Sequence, residues 1–266
     1  MIMFKGRKFN YRWAEKDDRD FPFKHIMRLS HLPKLPEEVD LTKESFYPPV
    51  WDQGEQGSCT AQAACAVKTF ITRRYVPHQD DLSIDGFYWC ERFVDGNTLL
   101  DSGSDGRTSG KVMLETGVGS AKIWGYDDSH FLKEPPKEYF EDANKNKIGA
   151  FYFLHGRIQM QRCLAAGFPF VFGTYIPCQM MADDFNGILD NCSTNDMLVE
   201  DGGLAGHQMS CFGYKKINGK LFFKVRNSWG TDWCDGGHFW YSADMMTNPD
   251  WCDDAITYRL AREPGI

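Results

Sequence analysis

Apolar positions recur at helical spacing from Cys59 to Tyr75, where Ala63, Val67, Phe70 and Ile71 form one stripe with Ala64 and Ala66 beside it. The small residues in that stripe predict a helix packed closely on its neighbours. The same spacing recurs at Ile84 to Phe93, at Ser109 to Glu115 before the stop Thr116-Gly117, and at Ile158 to Ala166 before Gly167. After residue 168 the pattern changes to short apolar runs rich in β-branched and aromatic residues: Phe168 to Ile176, Gln208 to Tyr214, Leu221 to Val225 and His238 to Tyr241. Asn218-Gly219, between the second and third runs, marks an antiparallel hairpin. A mainly helical first half followed by a mainly antiparallel second half predicts an α+β fold with two lobes.

Residues 1–34 follow neither pattern. They carry the run Glu15-Lys16-Asp17-Asp18-Arg19-Asp20 between Tyr11-Trp13 and Phe21-Pro22-Phe23, and they hold too few apolar residues for a core. We read them as an N-terminal arm lying on a main domain of residues 35–266. The arm's aromatic residues need burial, and covering a functional cleft is the sharper form of that expectation. Lys5, Arg7 and Lys8 interrupt the apolar start before a signal-peptide core builds up, and no apolar stretch reaches the length of a membrane span. The expectation is a protein without signal peptide or membrane contact, in a reducing compartment such as the cytoplasm.

Composition sharpens this picture. With 42% hydrophobic residues and 20 Phe, 11 Tyr and 8 Trp in 266 residues, the chain has ample core material and is neither disordered nor fibrous. A net charge of −7 excludes a general nucleic-acid binder, which needs a basic surface. The 9 cysteines are an odd number without any Cys-x-x-Cys, so at least one thiol lacks a disulfide partner within the chain. Cys65, Cys90, Cys163 and Cys211 read as buried thiols, whereas Cys178 with Cys192, or Cys234 with Cys252, are pairs that an oxidising environment could join. His25, His31, His78, His130, His155 and His238 show no metal-ligand spacing, and Asp183-Asp184 and Asp253-Asp254 read as solvated loops, so neither metal nor other cofactor is expected.

The chemistry gathers around Cys59. It stands where a glycine-rich turn enters a helix, just after the N-cap candidate Ser58, and a helix N-terminus there favours the thiolate. Alone it would read as a small buried residue. Its company changes that: the Gln53 amide and the Cys59 backbone N–H can both donate to a developing oxyanion, His207 opens an apolar strand, and Asn227 ends the strand beyond the hairpin turn. A cysteine nucleophile needs a base, and an imidazole base needs a group that holds its tautomer. A plain two-residue hairpin at Asn218-Gly219 pairs His207 with Gly230 and puts His207 and Asn227 on opposite faces. A three-residue loop with Gly219 at a bulge, or an equivalent bulge, sets His207 opposite Trp229 with Asn227 diagonally adjacent. That bulge is therefore expected.

The segment Pro49-Val50-Trp51-Asp52-Gln53-Gly54-Glu55-Gln56-Gly57-Ser58-Cys59-Thr60-Ala61 resembles the nucleophile motif of papain-like cysteine peptidases. Gly206-His207 resembles their histidine motif, and Val225-Arg226-Asn227-Ser228-Trp229-Gly230 their Asn-Ser-Trp-Gly motif, in the family's chain order. The resemblance implies a papain-like two-lobed fold, with a helical left lobe and an antiparallel, barrel-like right lobe. It also implies a peptide or protein substrate, a monomer, and a thioester mechanism in which Cys59 is nucleophile, His207 base, Asn227 orienter, Gln53 oxyanion donor and Trp229 the shield of the His–Asn bond. Gly103 and Ser104 would receive substrate backbone, and Phe170 with Gln208 would wall the specificity pocket. Gln56 replaces the disulfide cysteine of secreted members, Thr60 the usual tryptophan, and the Gly-Cys-x-Gly-Gly pattern is absent around residues 101–106. These departures resemble the branch found in bacteria and large DNA viruses, for which a virion-associated location is the alternative to the cytoplasm. A transamidase using the same thioester, or a catalytically silent binding module, are the competing functions; all four catalytic identities argue against the second.

Overall fold

Helix α1 (Cys59–Arg73) is buried along almost its whole length, and its alanine-rich surface lets neighbouring elements approach closely. The computed structural model describes residues 6–15, 17, 22–23, 34–129, 131–200 and 203–261. Lys16, Asp18, Arg19, Asp20, Phe21, His25, His31, His130 and the side chain of Asp254 lie outside that description. Against α1 pack α2 (Ile84–Val94) and α3 (Gly106–Glu115) on one side and the sheet on the other. Ser83 Oγ accepts the Gly86 N–H at 3.1 Å, and the Asp105 carboxylate accepts the Thr108 N–H at 2.8 Å. Such caps each contribute about 1 kcal/mol. Ser58 differs from the expectation: its side chain makes no capping bond and instead lies 3.2 Å from the Tyr126 hydroxyl. Shorter helices follow at α4 (Lys137–Ala143), α5 (Gly156–Ala165) and α6 (Ala243–Met246).

The strands are β1 (Val39–Asp40), β2 (Ala150–Phe153), β3 (Phe170–Tyr175), β4 (Ile188–Leu189), β5 (Val199–Glu200), β6 (Gly203–Leu204), β7 (Gly206–Ile217), β8 (Lys220–Arg226), β9 (His238–Ser242) and β10 (Cys252–Arg259). The main sheet runs β2-β10-β3-β7-β8-β9-β4, with β1 on β7, while β5 and β6 form a separate pair. Pairing is antiparallel except between β4 and β9. Phe170, Phe172, Phe223, Phe239 and Tyr241 are buried with ring centroids about 6 Å apart, giving the sheet an aromatic core. The expected α+β fold with a helical part and an antiparallel sheet is present. Helix α4 and strands β2 and β10 add to it; β10 opens with the acid pair that reads as a solvated loop.

The hairpin turn and its bulge are separated. Ile217 pairs with Lys220, so the turn holds only Asn218 and Gly219, whose φ values of 50° and 81° suit a tight primed turn. The three-residue loop is absent. The extra residue sits further along β7, where the register shifts between Cys211 and Gly213, and Ser210 then pairs with Arg226. Extending that register sets His207 opposite Trp229, as the site requires. Beyond the bulge, the Arg226 guanidinium donates to Pro48 O at 2.7 Å and Pro49 O at 2.6 Å and lies over the Trp51 ring. The loop leading to Cys59 is thereby tied to the sheet.

Candidate active site

The backbone N–H of Ser228 donates to Asn227 Oδ1 at 2.8 Å, which identifies that atom as the amide oxygen. His207 Nε2 lies 2.8 Å from the same oxygen and must therefore carry a proton. Nδ1 is left with its lone pair, and among the described residues it has no hydrogen-bond partner. Trp229 covers the pair with its ring centroid 5.4 Å from the imidazole. His207 and Asn227 are almost completely buried.

On the other side, Cys59 begins α1, and the backbone N–H groups of Gln208 and Thr60 act on its sulfur. Gln208 directly follows His207, so the thiol lies beside the imidazole's own strand. Gln53 is fixed from three directions: its Nε2 donates to Gln56 O at 2.8 Å, its Oε1 accepts Ser228 Oγ at 2.6 Å, and its carbonyl accepts Tyr126 OH at 2.7 Å. An amide N–H remains for another acceptor. Gln53 N–H also donates to Ser228 O at 2.9 Å, so the Gln53 loop and the Asn227 loop are held directly together.

The N-terminal arm passes through this cleft. Phe9 places its ring 5.9 Å from His207, edge-on, and 5.9 Å from Trp229. Tyr11 N–H donates to Gly206 O at 3.2 Å and Arg12 N–H to Ser104 O at 3.0 Å, so the arm's backbone bonds to both walls. A Cβ on Gly103, which has φ +65°, would stand 1.9 Å from Asn10 O. Among the described residues, ion pairs of Arg7 with Asp52 at 2.9 Å, Lys8 with Asp101 at 2.9 Å, and Arg12 with Asp95 fasten the arm. Under this cover Cys59 is fully buried, and burial pushes its thiol up to about 12, reinforced by Glu91 and Asp101 and opposed by the Gln208 and Thr60 N–H groups. Burial likewise depresses His207 to about 4, against the raising effect of the Asn227 bond. With the arm in place the pair is neutral thiol and neutral imidazole, so the helix N-terminus does not by itself secure the expected thiolate. Glu91, held by Thr60 Oγ1 at 2.7 Å and Ser109 Oγ at 2.5 Å beneath the first turn of α1, is raised by burial to about 8. At neutral pH it therefore adds little negative charge under the thiol.

Cys59, Gln53, His207, Asn227, Trp229, Gly103, Ser104 and Gln208 thus come together in one cleft. Phe170 does not. It is fully buried in the sheet, opposite Cys211 and between Phe172 and Phe223, because strand alternation turns it away from the face that the arm meets. That face is offered by Gly173, opposite Gln208, where a Cβ would stand 2.1 Å from the Tyr11 ring. A lone glycine inside an apolar strand was the available signal for this close approach. All nine cysteines are free thiols; Cys252 lies within the sheet against Tyr241 and Thr174, while Cys234 is exposed. Among the described residues no three His, Cys, Asp or Glu side chains gather as a metal site, and no helix is long and apolar enough to cross a membrane.

Comparison with known proteins bears on the family of the whole chain. Residues 35–256 match the family described as papain family cysteine protease. An uncharacterized peptidase C1-like protein of Acanthamoeba polyphaga mimivirus is 29% identical over 88% of this chain and 81% of its own. Cysteine proteinase 1 of Entamoeba histolytica is 23% identical, and this chain spans 63% of its length and aligns over 77% of its own. Xylellain, a cysteine protease from Xylella fastidiosa, superposes with a TM-score of 0.82 at 28% identity, over 97% of this chain and 98% of that one. The chain belongs to the papain family of cysteine proteases.

Proposed function

We propose that this chain hydrolyses peptide bonds, with Cys59 as nucleophile, His207 as base and acid, Asn227 as orienter and Gln53 as oxyanion donor, and that its N-terminal arm restrains the site. The observation that carries the reading is the His207–Asn227 bond, whose polarity leaves Nδ1 as the proton acceptor. When a peptide replaces the arm and water returns to the cleft, the thiol proton passes to Nδ1 and Sγ bonds to the scissile carbonyl carbon. The carbonyl oxygen takes up negative charge beside the Gln53 amide and the Cys59 N–H. The imidazolium then gives its proton to the leaving amine as the C–N bond breaks. Water, losing a proton to Nδ1, attacks the thioester and releases the acid and the thiol.

The arm supports both parts of the reading. Its backbone takes the positions that a peptide strand would take against Ser104 and Gly206, and Tyr11 fills the space over Gly173. Gly103, Ser104, Gly173 and Gln208 are accordingly the proposed substrate-binding residues. Under reductant, an epoxysuccinyl inhibitor is expected to label Cys59 stoichiometrically, and removal of residues 1–34 is expected to speed labelling and peptide cleavage. A folded protein whose Cys59 stays unlabelled after the arm is displaced would overturn the peptidase reading. Loss of folding without the arm would make it a structural segment.

A further inference from the structure

Asp101 carries a carboxylate with only 8% side-chain exposure, and it is not one of the groups that touch the reacting atoms in the mechanism above. Its Oδ1 and Oδ2 accept the Gly57 N–H at 3.0 and 3.1 Å, and its Oδ1 accepts the Tyr88 hydroxyl at 2.6 Å. That hydroxyl in turn accepts the Gly103 N–H at 2.9 Å. One carboxylate thus connects the turn two residues before Cys59, helix α2 and the cleft wall at Gly103. The Lys8 ammonium reaches the same carboxylate at 2.9 Å, and Asn10 Nδ2 reaches the Asp101 carbonyl at 2.6 Å. The arm is therefore anchored on the residue that links the two parts of this wall.

We infer that Asp101 is a positioning residue. Through Gly57 it sets the turn that presents Cys59 and Gln53, and through Tyr88 it sets the backbone of Gly103 relative to that turn. Hydrogen bonds to an ionised acceptor are the stronger kind, and here three elements from separate parts of the chain converge on one shielded group. Breaking the Gly57 arm of the link displaces the sulfur and the oxyanion donor, which a substrate experiences as slower chemistry. Breaking the Tyr88 arm loosens Gly103, which it experiences as weaker binding.

The inference rests on the peptidase reading, and two measurements on the full chain keep their failures apart. The first is the reaction of Cys59 with a peptidyl epoxysuccinate, followed by mass spectrometry, which gives a maximal inactivation rate and a half-saturating concentration. Asp101→Leu is expected to lower the maximal rate about tenfold or more, since sub-ångström misplacement is costly at a reacting centre. Asp101→Asn, whose amide oxygen still accepts the Gly57 N–H, is expected to recover to within about threefold of the wild type. Tyr88→Phe should leave the maximal rate within about twofold while raising the half-saturating concentration about fivefold, the split expected when binding rather than chemistry is lost.

The second measurement is hydrogen exchange at the Gly57 amide, which needs no reactivity at Cys59. Protection is expected in the wild type and in Asp101→Asn, with loss in Asp101→Leu. An unreactive wild type with that exchange pattern would end the peptidase reading and leave the link through Asp101 standing. A Gly57 amide equally protected in Asp101→Leu, or an Asp101→Asn rate as low as that of Asp101→Leu, would overturn the inference. If Asp101→Leu fails to fold, Asp101→Asn and Tyr88→Phe decide it by the same criteria.

Discussion

On the helical side of the cleft, Cys59 is presented by near neighbours in sequence: the Gln53 to Ser58 turn and the first residues of α1, fastened by hydrogen bonds to Ser228, Tyr126 and Asp101. On the sheet side, His207 near the start of β7 and Asn227 just past the end of β8 stand 20 positions apart and meet only because the β7–β8 ladder gains one residue before it reaches them. The helical side depends on particular donors and acceptors, and tolerates little change in their chemistry. The sheet side depends on count, and its aromatic core holds that count in place. A site built across the two is exposed to two different kinds of damage.

Four experiments sharpen this contrast, from the largest effect to the smallest. Cys59→Ala should abolish peptide cleavage, by at least about 10⁴-fold for loss of a covalent nucleophile, with an unchanged melting profile; residual turnover above about a hundredth would remove Cys59 from the proposed role. Deleting Phe212, the unpaired residue of the bulge, should make Gly213–Lys224 and Cys211–Val225 consecutive pairs and leave His207 opposite Trp229, so cleavage should persist while stability falls by about 3 kcal/mol or more for a lost core ring, measured by urea unfolding. Loss of cleavage in a folded deletion variant would break the register account. Phe9→Ala, which lifts a ring from His207 and Trp229, should raise the rate of Cys59 alkylation in the intact chain about tenfold, the arm's hold being weakened by part of a buried aromatic's worth.

The fourth concerns pH. His207 is held at about 4 in the folded, covered state against 6.5 in an exposed imidazole, with burial as the main cause. The unfolded or uncovered chain therefore binds more protons between those two values, and acidification favours it. The stability this contributes is complete above about pH 6.5 and falls by at most about 3 kcal/mol as pH drops toward 4. Thermal midpoints should decline over that window, and less so in His207→Phe; alkylation of Cys59 should show the arm opening over the same range. Midpoints that rise on acidification would contradict the sign.

Helix α1, the hairpin and the Cys59, His207, Asn227 and Gln53 constellation were legible because each rests on local pattern plus spacing. The bulge was legible as a requirement but not as a location. Asn218-Gly219 adopts the two-residue turn its own φ preferences favour, so the extra residue went into the strand beside Gly213, where a Cβ would stand 2.4 Å from Val39 O. A glycine in a strand was the overlooked sign of that irregularity. Phe170 was misplaced for a related reason: an apolar run buried on both faces gives no alternation to say which face meets the cleft. Strand β10 was missed because Asp253-Asp254 reads as solvated, whereas it lies at an irregular stretch of the β3 ladder. Asp101 was invisible because its partners Gly57, Tyr88 and Gly103 are brought together only by the tertiary fold.

The displaced residue in β7 gives the hairpin a parity. A single insertion or deletion between His207 and Asn227 exchanges inside for outside at one of the pair unless the bulge is lost with it, which leaves a regular ladder in the same register. A second change of the opposite sign on the same excursion cancels it. Drift in the length of this hairpin is therefore restricted to steps compensated by a second length change or by loss of the bulge, and the irregularity itself is at liberty to migrate along the ladder without the site recording where it lies.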